Sequence, residues 1–281
     1  MSWMKVDAHQ HFWRYDRADY PWIDAHMDVL RRDWLTGDLL PMLDAHGIEC
    51  SIAVQARPGE DETDFLLALA RLEPRIAGVI GWVDLRADDL AQRLERWQDR
   101  PRLLGFRHQV QDEADVAGFL GNPHFRRGVK QLQQDSRIYE VLVFARQLGS
   151  TADFCAACDD HWLVLDHLGK PAIRNDDHRS WRRDLQSLAA MPHMACKLSG
   201  LVTEAAPGGS FGRALDPYLD TALELFGPER LMFGSDWPVC LLAASYGEIA
   251  DIIERWADRL SESEQRAVWG ETARRVYGLP P

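Results

Sequence analysis

The run Val6-Asp7-Ala8-His9-Gln10-His11-Phe12-Trp13 carries the decision about the fold. Its apolar start reads as the end of a first strand over residues 4–8. A doubly wound open sheet would follow that strand with a G-x-G-x-x-G turn, whose glycines let the backbone approach a pyrophosphate. Here a histidine pair and an aromatic loop follow, and no such turn lies nearby. Working outward, seven more apolar runs read as strands over 48–55, 76–83, 103–107, 141–144, 162–166, 194–198 and 231–234. Helix-like segments lie between them at 62–72, 88–98, 122–133, 151–159, 178–191, 214–225 and 246–259. Strand alternating with helix along a whole chain implies parallel pairing through crossover helices, and eight such units close into a (β/α)8 barrel. The expected architecture is one α/β domain over residues 1–281, a TIM barrel. Two parts fall outside the repeat: an aromatic insertion at 12–34 and an extra helix at 262–277, opened by Ser261 as N-cap with an acidic first turn. The loop at 203–213, with Pro207-Gly208-Gly209, is too short for a second domain.

The 281 residues carry 32 basic and 44 acidic side chains, a formal charge of −12. No basic run exceeds a pair such as Arg126-Arg127, so the electrostatic footprint of a nucleic-acid partner is missing. No apolar stretch has the length of a signal peptide or a membrane span, so export and insertion are not expected. Five scattered cysteines are unlike a secreted disulfide framework and point to the reducing cytoplasm. Cys155 and Cys158 form a C-x-x-C without a second pair at zinc-ribbon spacing, and read as two core-facing residues of a helix.

In a barrel the C-terminal strand ends open into one mouth, so the residues after each apolar run are the candidates for chemistry. These are His9 and His11, Gln55 and Arg57, Trp82 and Asp84, Arg107 and His108, Asp166 and His167, Lys197 and Ser199, then Ser235-Asp236-Trp237. The fifth run offers only apolar groups and then Arg146. Residues two apart on a strand face one side, so His9 and His11 can converge on one divalent ion. Asp236 follows an apolar strand among aromatic residues, where a carboxylate needs a metal or a histidine to offset its desolvation. His167 alone could satisfy a backbone carbonyl, and Arg107, His108, Lys197 and Ser199 could serve binding or structure equally. No G-x-S-x-G elbow or cysteine nucleophile signature is present, which removes serine and cysteine hydrolase chemistry.

Together VDAHQHFW, DHLGKP, MFGSDWP and the terminal ARRVYGL resemble the amidohydrolase superfamily, and more narrowly its lactonase-rich branch of metal-dependent barrel hydrolases. The likeness spans His9 to Leu279. HQHFW with the following YPWI is similar to the sugar-lactonase members, and less so to the pyrone-dicarboxylate lactonases. The resemblance implies ring-opening hydrolysis of a sugar lactone of the L-fucono type. It implies at most one divalent metal, zinc or manganese, held by His9, His11 and Asp236, with His167 completing the set or holding the substrate carbonyl. Some members of the branch work with none. No lysine or glutamate is expected at the end of the fourth or fifth strand to bridge two ions. Asp236 would accept the proton of the attacking water and return it to the leaving oxygen, while Arg107, His108 and His167 stabilise the oxyanion. Trp22, Gln55, Arg57, Trp82, Lys197, Ser199 and Trp237 would contact the substrate. Of the 11 tryptophans, Trp13, Trp22, Trp82 and Trp237 are expected above the mouth, where rings stack on sugar C–H surfaces. Trp97, Trp181, Trp256 and Trp269 are expected to pack helices. Competing readings are a decarboxylase or dicarboxylate lactonase of the same superfamily, with Arg57 and Arg107 meeting a carboxylate, and a silent sugar-acid-binding barrel. The expected partner is a small lactone, with a homodimer as the assembly.

Overall fold

A computed structural model describes residues 3–175, 177–205, 211 and 213–280, so part of the Pro207-Gly208-Gly209 loop lies outside the described residues. Eight parallel strands follow one another in sequence order around a single sheet: β1 Val6–Gln10, β2 Cys50–Val54, β3 Ile76–Gly81, β4 Leu103–His108, β5 Ile138–Val141, β6 Leu163–Leu165, β7 Met194–Leu198 and β8 Leu231–Phe233. The ring closes where the chain beyond β8 meets β1. There Asp236 N–H donates to His9 O at 2.8 Å and His11 N–H to Trp237 O at 2.7 Å. Asp7 secures the same seam by accepting from the N–H of Ser235 at 2.9 Å and the hydroxyl of Tyr246 at 3.1 Å.

The crossover helices are α1 Thr36–Ala45, α2 Glu60–Leu72, α3 Leu90–Glu95, α4 Val116–Gly121, α5 Pro123–Gln134, α6 Leu148–Ala157, α7 His178–Ala189, α8 Leu201–Glu204, α9 Asp216–Phe226 and α10 Tyr246–Ala257. Their termini follow local chemistry. Glu60, Asp61 and Glu62 open α2 and Arg71 closes it, matching the helix dipole. Asn122 accepts from two N–H groups at the head of α5, with Pro123 in the first turn. The chain ends in α11 Glu262–Arg266 and α12 Thr272–Tyr277, joined by a π-turn over Ala267–Glu271, and Ser261 caps the start as expected. The C-x-x-C cysteines are free and buried. Among the described residues no helix is long and apolar enough to cross a membrane.

Two expectations are corrected. Helices α1, α4 and α8 were not foreseen: α4 and α8 are short, and Gly37 and Pro41 disguise α1, with the proline inside the helix. The fifth strand is Ile138–Val141 and not residues 141–144, because its register pairs Gly105–His108 with Ile138–Val141. The shift puts a glutamate, Glu140, on that strand after all. It sits inside the barrel and not at the mouth.

Val6, Ala8, Ile52, Ile80, Ile138, Val164, Ala195 and Met232 fill the barrel interior, and Ala273, Val276 and Tyr277 of α12 close its lower end. The π-turn before α12 lies so tight against the chain that enters β1 that a Cβ at Gly270 would fall 1.9 Å from Met4 O. Above this apolar floor Lys197 Nζ stands 2.6 Å from Glu140 and 3.1 Å from Asp166, all three side chains fully buried. The Tyr277 hydroxyl donates to Glu140 at 2.5 Å. Removing one member of a buried ion pair leaves an uncompensated charge. Lys197→Met is therefore expected to lower unfolding free energy by about 3–5 kcal/mol in urea denaturation, and a loss under about 1 kcal/mol would contradict the role given to this pair.

Candidate active site

The first histidines are aimed by an irregularity in β1. Between Asp7↔Ser51 and Gln10↔Ala53 the strand advances three residues against two on β2, a bulge within the Ala8–His9 stretch. As a result His9 Nε2 and His11 Nε2 lie 3.2 Å apart. Asp236 Oδ1 is 3.7 Å from the former and 3.4 Å from the latter, and His167 Nε2 stands 3.9 Å from the same oxygen. Asp236 holds a left-handed φ of 58°. His167, Leu168, Gly169 and Lys170 form a run of four left-handed residues, with φ from 48° to 66°. Each such residue with a side chain costs roughly 1–2 kcal/mol, so this run is held by its surroundings. Lys170 N–H donates to His167 O at 2.7 Å, Trp181 Nε1–H to Leu168 O at 2.8 Å, and His167 Nδ1 meets Ser199 Oγ at 2.8 Å.

Below the cluster, buried charges support the His9 ring. Asp166 reaches His9 Nδ1 at 3.3 Å and Arg107 at 2.9 Å, and Lys197 Nζ lies 3.0 Å from the same His9 nitrogen. Gln55 Oε1 accepts from Arg107 Nε at 3.1 Å, fixing the guanidinium. Burial opposes ionisation of Asp166, but Lys197, His9 and Arg107 outweigh it and hold the carboxyl well below its usual range. Burial likewise disfavours ionised Asp236, and His167, His11 and His9 favour the carboxylate when they carry protons. Burial lowers His9 and His11, and brings His167 down to about 4.

This donor set fits a divalent metal. His11 Nδ1 faces Val54 O at 2.7 Å and must carry the hydrogen, so Nε2 presents a lone pair. That lone pair and an ionised Asp236 oxygen, two acceptors, confront each other at 3.4 Å. Bonds of about 2.0–2.1 Å in a tetrahedral site put neighbouring ligand atoms about 3.4 Å apart, the spacing of the His9, His11 and Asp236 atoms.

A cavity of about 450 Å³ opens above the cluster. His11, Trp22, Arg107, His167 and Asp236 line it. Other residues foreseen at the mouth lie elsewhere. Lys197 is sealed beneath His9, Gln55 and Ser199 orient Arg107 and His167, and Arg57 pairs with Asp61. His108 is also turned away: its Nε2 binds Glu113 at 2.7 Å, its ring stacks on Phe119, and Trp82 Nε1–H donates to its Nδ1, which corrects the oxyanion role expected of it. Trp13 and Trp237 are core aromatics, the latter edge-on to Trp34, so among the four tryptophans expected above the mouth only Trp22 lines the cavity. Trp97, Trp181, Trp256 and Trp269 are buried in the core. Strand-end reasoning missed Gln109, Gln111, Asp112, Phe144, Lys170, Arg174 and Glu204, all on the cavity wall. They sit in loops, short turns and the end of α8, beyond the strands; Gln109 directly follows His108, and Lys170 lies within DHLGKP.

Comparison with known proteins adds three findings. The sequence model of the amidohydrolase family designated Amidohydro_2 matches residues 6–279. An L-fucono-1,5-lactonase of Burkholderia multivorans is 56% identical over 100% of this chain and 98% of its own length, and one of Burkholderia ambifaria is 33% identical over 98% and 96%. The crystal structure of an amidohydrolase from Burkholderia multivorans with bound zinc superposes with a TM-score of 0.95 at 56% identity, covering 99% of this chain and 100% of that one.

The burial of the imidazoles has a direct spectroscopic consequence. In an NMR titration the His167 ring is expected to stay neutral as pH falls past 5, taking its proton near 4. A midpoint near the ordinary value of about 6.5 would contradict the site electrostatics.

Proposed function

As a member of the amidohydrolase family, the chain is an enzyme, and we propose that it opens the ring of a sugar-acid 1,5-lactone by adding water to the lactone carbonyl. L-Fucono-1,5-lactone is the first substrate to test, since two relatives matched over nearly their whole length carry that activity in their names. The observation that carries the reading is the Asp236 carboxylate within 4 Å of the His9, His11 and His167 rings at the floor of the cavity. A volume of about 450 Å³ is ample for a six-membered lactone.

His9, His11 and Asp236 would hold one divalent ion, zinc before manganese given two imidazoles and a carboxylate. When bound, such an ion supplies Lewis acidity for a carbonyl oxygen and lowers the pKa of water. The chain's own residues do the rest. Asp236 accepts the proton of the attacking water. Arg107, whose N–H groups meet Gln55, Asp166 and His9 Nε2, sets a fixed positive charge on the cavity wall, and His167, anchored by Ser199, turns Nε2 toward the cavity where the carbonyl oxygen gains charge. Asp166 and Lys197 hold the His9 ring from below.

The side chains of the wall set three cations, Arg107, Lys170 and Arg174, against three carboxylates, Asp112, Glu204 and Asp236. Apart from the charge that a bound divalent ion would add, they offer no surplus cation to a second carboxylate, which the dicarboxylate-lactonase and decarboxylase readings need. We place the enzyme in the cytoplasm, a reading supported by five free, buried cysteines.

Asp236→Asn is expected to keep the fold by circular dichroism and to lower kcat/KM for L-fucono-1,5-lactone by about 1,000-fold, near the middle of the range for a lost general base. Near-normal turnover in this variant would remove Asp236 from the chemistry. Metal analysis of the purified chain should find about one zinc or manganese ion per chain, reduced in the His11→Ala variant. Metal content that His11→Ala leaves unchanged would reject the ligand set.

A further inference from the structure

The left-handed run at 167–170 does more than aim a histidine. Residues three apart in a single helical turn project to one side, and both His167 and Lys170 line the cavity. The Lys170 ammonium is half-buried, 5.1 Å from the centre of the Phe144 ring, and among the described residues it has no hydrogen-bond or ion-pair partner. The charged groups facing it are Asp236, Glu204 and Asp112, with Arg107 as the opposing cation. A strained backbone thus presents an unpaired N–H donor to the space above Asp236.

Ring opening needs two proton transfers, one from the water and one to the departing ring oxygen. Asp236 serves the first. For the second, Arg107 and Arg174 do not give up protons at any ordinary pH. His167 is neutral, and one ring nitrogen is engaged by Ser199. Burial raises the Glu204 carboxyl above its usual range against the pull of Lys170 and Arg174, so Glu204 is the competing acid that a Glu204→Gln variant separates from Lys170. Resting on the lactone-hydrolase reading, we propose that Lys170 is the acid of the ring-opening step, giving its Nζ proton to the ring oxygen as the acyl–oxygen bond breaks. Water adds its oxygen to the carbonyl carbon and its proton passes to Asp236. The acyl–oxygen pair leaves with the ring oxygen, which takes the Lys170 proton and becomes a hydroxyl. The carboxylic acid product ionises, and Asp236 and Lys170 return to their starting states by exchange with solvent. Burial lowers the Lys170 pKa, which strengthens the ammonium as an acid.

The test compares wild type, Lys170→Met, Lys170→Arg and Glu204→Gln on L-fucono-1,5-lactone and on the thiolactone with sulfur in the ring. Lys170→Met is expected to lower kcat on the lactone by about 100-fold with KM changed less than about 3-fold. Lys170→Arg should be as slow, because it keeps the charge without the acidity. On the thiolactone the Lys170→Met loss should shrink below about 5-fold, because a thiolate leaves without a proton. Near wild-type turnover in Lys170→Arg, equal losses on both substrates, or a kcat loss carried by Glu204→Gln instead would each overturn the assignment. A wild-type chain that opens neither substrate overturns the lactone reading itself, whatever the variants do.

Discussion

A charge buried in a protein must be paired, and in this barrel one ammonium meets that demand for two carboxylates. Lys197 sits inside the strands between Glu140 and Asp166, Asp166 passes the interaction on to Arg107 and His9, and Tyr277 anchors Glu140 from the last helix. Desolvation makes each member costly alone, so the members are placed as a set. Through them the apolar floor closed by α12 is connected to the ring of His9 at the active site. The C-terminal helix is therefore part of the same physical system as the catalytic end, although it lies at the opposite end of the barrel.

At the upper end the same constraint acts through the backbone. A bulge turns His9, a left-handed residue presents Asp236, and four left-handed residues carry His167 and Lys170. Such conformations persist only where neighbours over-determine them. Here the neighbours are Trp181, Ser199 and the hydrogen bonds that close the ring between β8 and β1. His9, His11 and Asp236 lie on the seam that makes the sheet a barrel, so the hydrogen bonds that close the ring also hold these three residues together.

Much of this was legible in the residues. His9, His11, His167 and Asp236 follow strands, and the strand-end rule brings them to one mouth, where they do meet. The fifth strand was misplaced because its most apolar residues, 141–144, serve partly as cavity wall: Leu142 and Phe144 line the pocket. Apolar character marks burial, and does not distinguish a ladder from a binding wall. Lys197 was read as a mouth residue because alternation along β7 gives its face, while its depth depends on Glu140, whose position the shifted strand concealed. Gln109, Gln111, Arg174 and Glu204 could not be found this way, since loop conformation has no period to read.

The central claim is that this cavity hydrolyses a neutral lactone. It is tested most directly by following acid release from L-fucono-1,5-lactone in a weakly buffered indicator solution, with the spontaneous rate subtracted. The account predicts enzyme-dependent release of one proton for each lactone opened, and oxygen-18 from labelled water in the product carboxylate. No acid release above the spontaneous rate, or label absent from the carboxylate, would contradict it.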